Sequence, residues 1–171
     1  FCTTHNLLPW KSSGFKEQDS TIFQCLYLTN YIYTEFDKGN DVGMVFLDVS
    51  KAFDKVWHEG LLYKLKQIGV SGSLLLWFKS YLSNRRQRVV IKGQYSDWKT
   101  VQAGVPQGSV LGPLLFLIYV NDVVDNVQSR ISLFADDMSL YGSLRSPSDF
   151  DEIKQRYLKD FRVGSEVVGN F

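Results

Sequence analysis

Residues 19–37 place apolar side chains at Ile22 or Phe23, Leu26, Tyr33 and Phe36, near every 3.6 residues, which predicts an amphipathic helix with this stripe inward. Gly39-Asn40 stops it. The pattern then changes. Met44, Val45, Phe46 and Leu47 stand in a row within residues 42–48. Continuous hydrophobicity at strand length predicts a strand buried on both faces, here ended by a carboxylate. Ser50 is placed to cap a further helix carrying Phe53, Val56, Trp57, Leu61, Leu62 and Leu65 before Gly69. A shorter helix from Ser73 sets Leu74, Trp77, Phe78 and Tyr81 on one side.

Residues 88–92 and 98–102 predict a hairpin around Gly93-Gln94-Tyr95-Ser96. Residues 104–113 form a Gly/Pro/Gln loop that leads into a helical run over 114–119. Residues 130–135 and 138–141 are strand-like and leave Asp136-Asp137 between them, a hairpin turn by length. Ser146-Pro147 opens a last helix, with Ser as cap and Pro in its first position. Phe150, Ile153, Tyr157 and Phe161 supply its apolar face, and the tail from Arg162 has no period. Neither a repeat nor a linker interrupts the pattern. The expectation is one α+β domain over residues 1–161 and a divergent tail over 162–171.

Composition narrows the function classes. The 171 residues are 44% hydrophobic with a formal charge of +1, which excludes intrinsic disorder. The longest nearly apolar run, residues 110–120, is far short of the roughly 20 residues of a membrane helix, so no membrane partner is expected. Cys2 and Cys25 cannot found a disulfide framework and lack metal-ligand spacing, pointing to a reducing, intracellular setting. The first residues show no initiator Met, basic n-region or signal peptide, and the chain reads as cut from something longer. A near-neutral balance argues against a strongly basic nucleic-acid binder but leaves room for a local strip. Lys79, Arg85, Arg86, Arg88 and Lys92 form one, interleaved with Tyr81 and free of acids. It serves either phosphate contacts or a solvated face.

The acids matter by position. Asp48 ends the buried-type strand, and Asp136 and Asp137 occupy a hairpin tip, places where a sheet presents side chains to a cleft. With the strand of Asp48 beside that hairpin, the carboxylates converge. Two such charges about 4 Å apart repel by roughly 4 kcal/mol at an effective dielectric of 20, and a hard divalent cation removes that penalty. Turn and cap positions are equally ordinary uses of Asp, so spacing alone leaves both readings open. His5 and His58 carry no catalytic pattern.

Phe46-Leu47-Asp48-Val49-Ser50-Lys51-Ala52-Phe53-Asp54, Pro106-Gln107-Gly108-Ser109-Val110-Leu111-Gly112-Pro113 and Phe134-Ala135-Asp136-Asp137 follow in this order. Asp54-Lys55-Val56-Trp57-His58, Tyr81-Leu82-Ser83-Asn84-Arg85 and Gly14-Phe15 join them. Over roughly residues 7 to 161 the chain resembles the palm of reverse transcriptases, most closely those of LINE-type (non-LTR) retrotransposons of animals. The resemblance implies a palm-like antiparallel sheet of the ferredoxin/RRM-like kind, with helices packed on one face and a remnant of the fingers.

It further implies an RNA-directed DNA polymerase core. Asp48, Asp136 and Asp137 would hold two Mg²⁺ ions (Mn²⁺ being the alternative ion), with Asp48 and Asp136 as the bridging pair. A primer 3′-hydroxyl would attack the α-phosphate of a dNTP, and pyrophosphate would leave. Phe53 would crowd the sugar 2′ position. Gln107 and Gly108 would form the nucleotide-pocket loop, and Ala52 would offer its backbone N–H. Arg85, Arg86 and Arg88 would contact an RNA template paired with a DNA primer. Read without the resemblance, Phe53 is a core residue and Pro106-Gln107-Gly108 a turn before a helix.

The pattern also departs from the family. The basic fingers segment upstream, and the Trp-containing loop with its Lys, the primer-gripping hairpin and the thumb downstream, find no match. Residues 162–171 resemble none of these, so Lys154 and Lys159 do not inherit the role of that Lys. Met138 stands where Thr is commonest after the acid pair. The expectation is a palm centre with exposed apolar surface, nuclear by family, that polymerises poorly or not at all by itself. Two rival readings are a truncated or co-opted palm that only binds nucleic acid or a partner, and a nucleotidyl-cyclase-like two-metal domain, which leaves the Gln107 loop unexplained.

Overall fold

The computed structural model describes residues 12–13, 20–48, 50–124, 130–146, 149, 151–152 and 155. The elements follow as β1 (Ser12–Ser13), α1 (Thr21–Asp37), β2 (Asp41–Asp48), a 3₁₀ turn (Ala52–Lys55), α2 (His58–Gln67) and α3 (Gly72–Leu82). Then come β3 (Arg86–Gln87), β4 (Val90–Ile91), β5 (Gln94–Tyr95), β6 (Lys99–Thr100), α4 (Leu111–Val120), a 3₁₀ turn (Asn121–Val124), β7 (Arg130–Phe134) and β8 (Asp137–Leu144). The fold is α+β, with a mixed sheet and packed helices. It divides into two compact units, one of residues 1–50 and 120–171 and one of residues 51–119. Among the described residues, no helix is long and apolar enough to cross a membrane.

In the first unit the sheet order is β1-β7-β8-β2, with β1 parallel to β7 and the other pairs antiparallel. The β7–β8 turn is Ala135-Asp136, one residue earlier than the sequence predicts, and Asp137 opens β8 opposite Phe134. Ala135 takes the left-handed conformation that a two-residue hairpin turn needs (φ 55). β2 pairs with β8 from Asp41 opposite Leu144 to Asp48 opposite Asp137. The expectation that β2 is buried on both faces fails. It is an edge strand in which Gly43 alone is buried, and Phe46 is 75% exposed.

Helix α1 starts where the Ser20 hydroxyl accepts the Phe23 N–H, and ends as Gly39 turns left-handed (φ 76). It packs on β2 and β7, with Gln24, Leu28, Tyr31, Ile32 and Glu35 on its covered side. The stripe expected inward is the wrong one. Ile22, Phe23, Leu26, Tyr33 and Phe36 are all more than half exposed. Apolar side chains nearly encircle this helix, so two stripes satisfy the period, and contacts with the sheet select between them. Tyr31 meets the Tyr141 ring edge-on at 5.2 Å, and the Arg130 guanidinium lies 4.8 Å over the Tyr31 ring. Burial pushes the Tyr141 hydroxyl up to about 12.

Glu35 is the buried residue of α1, and its carboxylate accepts from Lys38 Nζ and Asn40 Nδ2, both at 2.9 Å. These bonds hold its carboxyl below the usual glutamate range. The stability they lend is therefore complete above the ordinary glutamate pKa and lost as pH falls through the lowered native value. Glu35→Gln is expected to flatten the acid limb of a plot of thermal midpoint against pH. An acid limb as steep as that of the parent would contradict this.

In the second unit Val56, Leu61, Leu65, Leu82, Val105, Leu115 and Leu117 form the dry centre. The single helix expected from Ser50 is broken into the 3₁₀ turn, an extended Val56-Trp57 and α2, and Ser50 does not cap it. Tertiary hydrogen bonds explain the break. The Phe53 carbonyl accepts from Val105 N–H and the Val56 carbonyl from Gly104 N–H, so neither serves a continuous helix. On α3 the expected side is half right, since Leu74 and Trp77 are exposed while Phe78 and Tyr81 are partly covered. Helix α4 begins at Leu111, with Pro113 inside its first turn, where the missing N–H costs nothing.

The predicted hairpin exists with a different turn. Lys92 and Gly93 are both left-handed (φ 47 and 79), so the turn is two residues long and Gln94-Tyr95 belong to a strand. Between the two ladders, residues 88–89 face residues 96–98, a one-residue bulge.

Near Ser146, the Asp149 carboxylate accepts the N–H groups of Arg145 and Ser146 and the Ser146 hydroxyl, which holds its carboxyl below the usual range. Residues 149, 151, 152 and 155 are helical. Cys2, His5, Gly14, Phe15, Pro147, Phe150, Ile153, Lys154, Tyr157, Lys159, Phe161 and the tail from Arg162 lie outside the described residues.

Candidate functional site

Asp48 is the last residue of β2, Asp137 the first of β8, and the two are direct cross-strand partners. Partners of this kind share one face of the pleat, with Cβ atoms about 5 Å apart. Both are exposed, and among the described residues neither forms an ion pair with Lys or Arg. They line a pocket of about 420 Å³ together with Phe46, Phe134 and Ser139 from the sheet and Thr21, Gln24, Cys25 and Leu28 from α1. Asp136 sits in the turn, half-buried, and is not among the lining residues. Among the described residues, no three His, Cys, Asp or Glu side chains gather as a metal site. Two of the three predicted acids are thus brought together, and the third stands beside them in the chain without completing a triad.

Like charges placed directly opposite on a sheet are destabilising, so a neutralising partner is favoured. Two carboxylates that pair with no Lys or Arg among the described residues are a donor set of the kind a hard divalent cation takes. Asp48 and Asp137 would be the residues to hold one.

The remaining candidate residues belong to the second unit. The Phe53 ring stacks on Phe116, centroids 4.6 Å apart and planes at 15°. Ala52 is buried beside it in the 3₁₀ turn. Gln107 Nε2 donates to Asp54 Oδ1 at 3.1 Å. Ser109 donates its hydroxyl to the Pro106 carbonyl and accepts the Gly112 N–H, which closes the loop around Gly108. A Cβ on Gly112 would meet the Pro106 carbonyl oxygen at 2.5 Å, so this position requires glycine.

Sequence reasoning assigned nothing to His58, yet it anchors this loop. Its Nε2, carrying the proton, donates to the Gly104 carbonyl at 2.8 Å, and Arg85 Nη1 donates to the same oxygen at 2.9 Å. A histidine 46 positions away from its partner gives no periodic signal. Arg85 is therefore engaged within its own unit. Arg86 and Arg88 instead lie over aromatic rings of the hairpin.

Residues 2–163 match the family model described as reverse transcriptase (RNA-dependent DNA polymerase). The chain belongs to that family. It is 35% identical, over 91% of its length, to a probable RNA-directed DNA polymerase from transposon BS of Drosophila melanogaster. It is 34% identical, over 93%, to the RNA-directed DNA polymerase from mobile element jockey of the same species. A Pol polyprotein from the type-1 retrotransposable element R2 of Popillia japonica is 29% identical over 64% of the chain. The chain is a LINE-type (non-LTR) reverse-transcriptase-like domain, and it spans 18% of the length of each of these relatives. In this reverse-transcriptase domain the first and third motifs meet as the Asp48–Asp137 pair. The second motif is bonded to the segment that follows the first, through Gly104, Val105 and Gln107.

Proposed function

We propose that this chain is the carboxylate-bearing, palm-like part of an RNA-directed DNA polymerase, and that by itself it binds nucleic acid without polymerising. One observation carries this reading. Asp48 and Asp137 face each other across the sheet, while Asp136 does not join them in a three-ligand group among the described residues. Asp48 and Asp137 would hold a divalent cation, with Asp136 as the further ligand. When bound, such a cation supplies charge neutralisation and lowers the pKa of a coordinated hydroxyl.

The other residues act by shape and hydrogen bonding. Phe53, fixed by its stack on Phe116, is a rigid wall against a sugar 2′-hydroxyl, which would find neither room nor partner there. Gln107 gives one of its two amide N–H groups to Asp54, which leaves its carbonyl oxygen and its second N–H for a nucleotide. Gly108, with open space where a Cβ would sit, admits close approach to the backbone, and Ala52 would offer its N–H. The substrates on this reading are an RNA template, a DNA primer and dNTPs. The clamping segments, fingers and thumb, would lie in the further length of the relatives.

Primer extension on an RNA template in Mg²⁺ tests the reading. Extension by the purified chain is expected to match that of Asp48→Asn. Template-dependent extension that disappears in Asp136→Ala would overturn it and establish the second reading, a complete two-metal core, which the Asp48–Asp137 pairing favours.

A further inference from the structure

We infer that the hairpin of residues 86–100 is a docking platform for single-stranded nucleic acid, which grips phosphates with Arg86, Arg88 and Lys99 and stacks unpaired bases on Tyr95 and Trp98. The inference rests on the proposed function only for the kind of polymer, since it uses none of the carboxylates.

Charge points to a polyanion. Residues 51–119 hold ten Lys and Arg against three Asp and Glu, a formal +7. The rest of the chain holds nine against fifteen, a formal −6. The overall +1 therefore conceals a strong separation, and of the three acids in the basic unit only Asp97 falls on the hairpin.

Every residue from 86 to 100 is exposed, including Tyr95 at 60% and Trp98 at 53%. The Arg88 guanidinium lies 4.0 Å over the Tyr95 ring and 4.6 Å over the Trp98 ring, and Arg86 lies 5.6 Å over Trp98. Arg86 in β3 and Arg88 just after it both reach the Trp98 ring. Among the described residues no carboxylate pairs with either arginine.

This arrangement suits phosphates and bases together. A guanidinium held over a ring by its central carbon keeps N–H groups at its rim that are able to fork onto a phosphate. Aromatic rings and guanidinium planes are also the surfaces on which unpaired bases stack. Contact with the rings holds the long arginine side chains beforehand, so less rotamer freedom is lost when a strand binds. A duplex keeps its bases stacked on each other and would leave these planes unused. An RNA template offers an unpaired stretch before it is copied.

Fluorescence anisotropy of labelled oligo(U) and oligo(dT), with EDTA present, tests this. Binding is expected without metal, weakening steeply with salt. Trp98→Ala and Arg88→Ala are each expected to lower affinity roughly tenfold. Arg88→Lys should lower it as well, because a charge without a plane cannot carry a base. Lys99→Glu should reduce the salt slope. All three positions are exposed, and unchanged melting curves confirm folded variants. Equal affinity for heparin, preference for duplex, or binding to anionic lipid vesicles in place of oligonucleotide would each overturn the proposal, as would unaltered binding by Trp98→Ala and Arg88→Lys. The EDTA condition separates this outcome from primer extension: loss of oligonucleotide binding would overturn the platform and the nucleic-acid-binding half of the proposed function, and would leave the role of the carboxylate pair to the Mg²⁺ experiments.

Discussion

Gly104→Ala is expected to cost about 3 kcal/mol or more of folding stability. Gly104 is left-handed (φ 90), and a Cβ there would lie 2.7 Å from both the Cα and the carbonyl oxygen of Asp54. Neither is the end of a flexible side chain, so the backbone itself must move. That movement would strain the Gly104 N–H bond to Val56 and both side-chain bonds to the Gly104 carbonyl, from His58 and Arg85. Gly108→Ala is the control. Gly108 is also left-handed (φ 75) but has open space around it, so only the conformational cost of about 1–2 kcal/mol applies. Urea unfolding followed by tryptophan fluorescence gives both values. Equal losses at the two positions would show that the close approach to Asp54 is not what fixes the loop.

The same neighbourhood shows what the sequence reveals and what it hides. Asp48 reaches the 136–137 tip as expected, because strand length and a two-residue turn leave little choice of register once β2 pairs with β8. The hairpin ahead of the Gln107 loop was legible too, although its turn moved to Lys92-Gly93, since a tight turn needs two left-handed residues and only its second is glycine. The break at residues 51–57 was not legible. It depends on carbonyls that bond to Gly104 and Val105 some 50 positions on, and no local pattern encodes that. Helix α1 failed for another reason. With apolar residues on several sides, its period is satisfied twice, and the choice is made by Tyr141 and Arg130, which lie far along the chain.

Asp137→Asn is expected to raise the thermal midpoint in EDTA and to abolish its dependence on Mg²⁺. Without metal, two exposed carboxylates stand directly opposite each other, and removing one charge should stabilise the chain by up to about 1 kcal/mol. The parent can recover more than this by binding. A cation at a hundred times its dissociation constant adds about 2.7 kcal/mol to the folded state. The order of midpoints should therefore reverse, with the variant higher in EDTA and the parent higher in saturating Mg²⁺. A purely structural pair of aspartates would give the first effect without the second. Parallel responses of the two proteins to Mg²⁺ would remove the pair as a cation site. Asp136→Asn then separates the remaining alternatives: if it also erases the response, the turn residue completes the ligand set once the ion is present, and if it does not, the ion is held by the cross-strand pair.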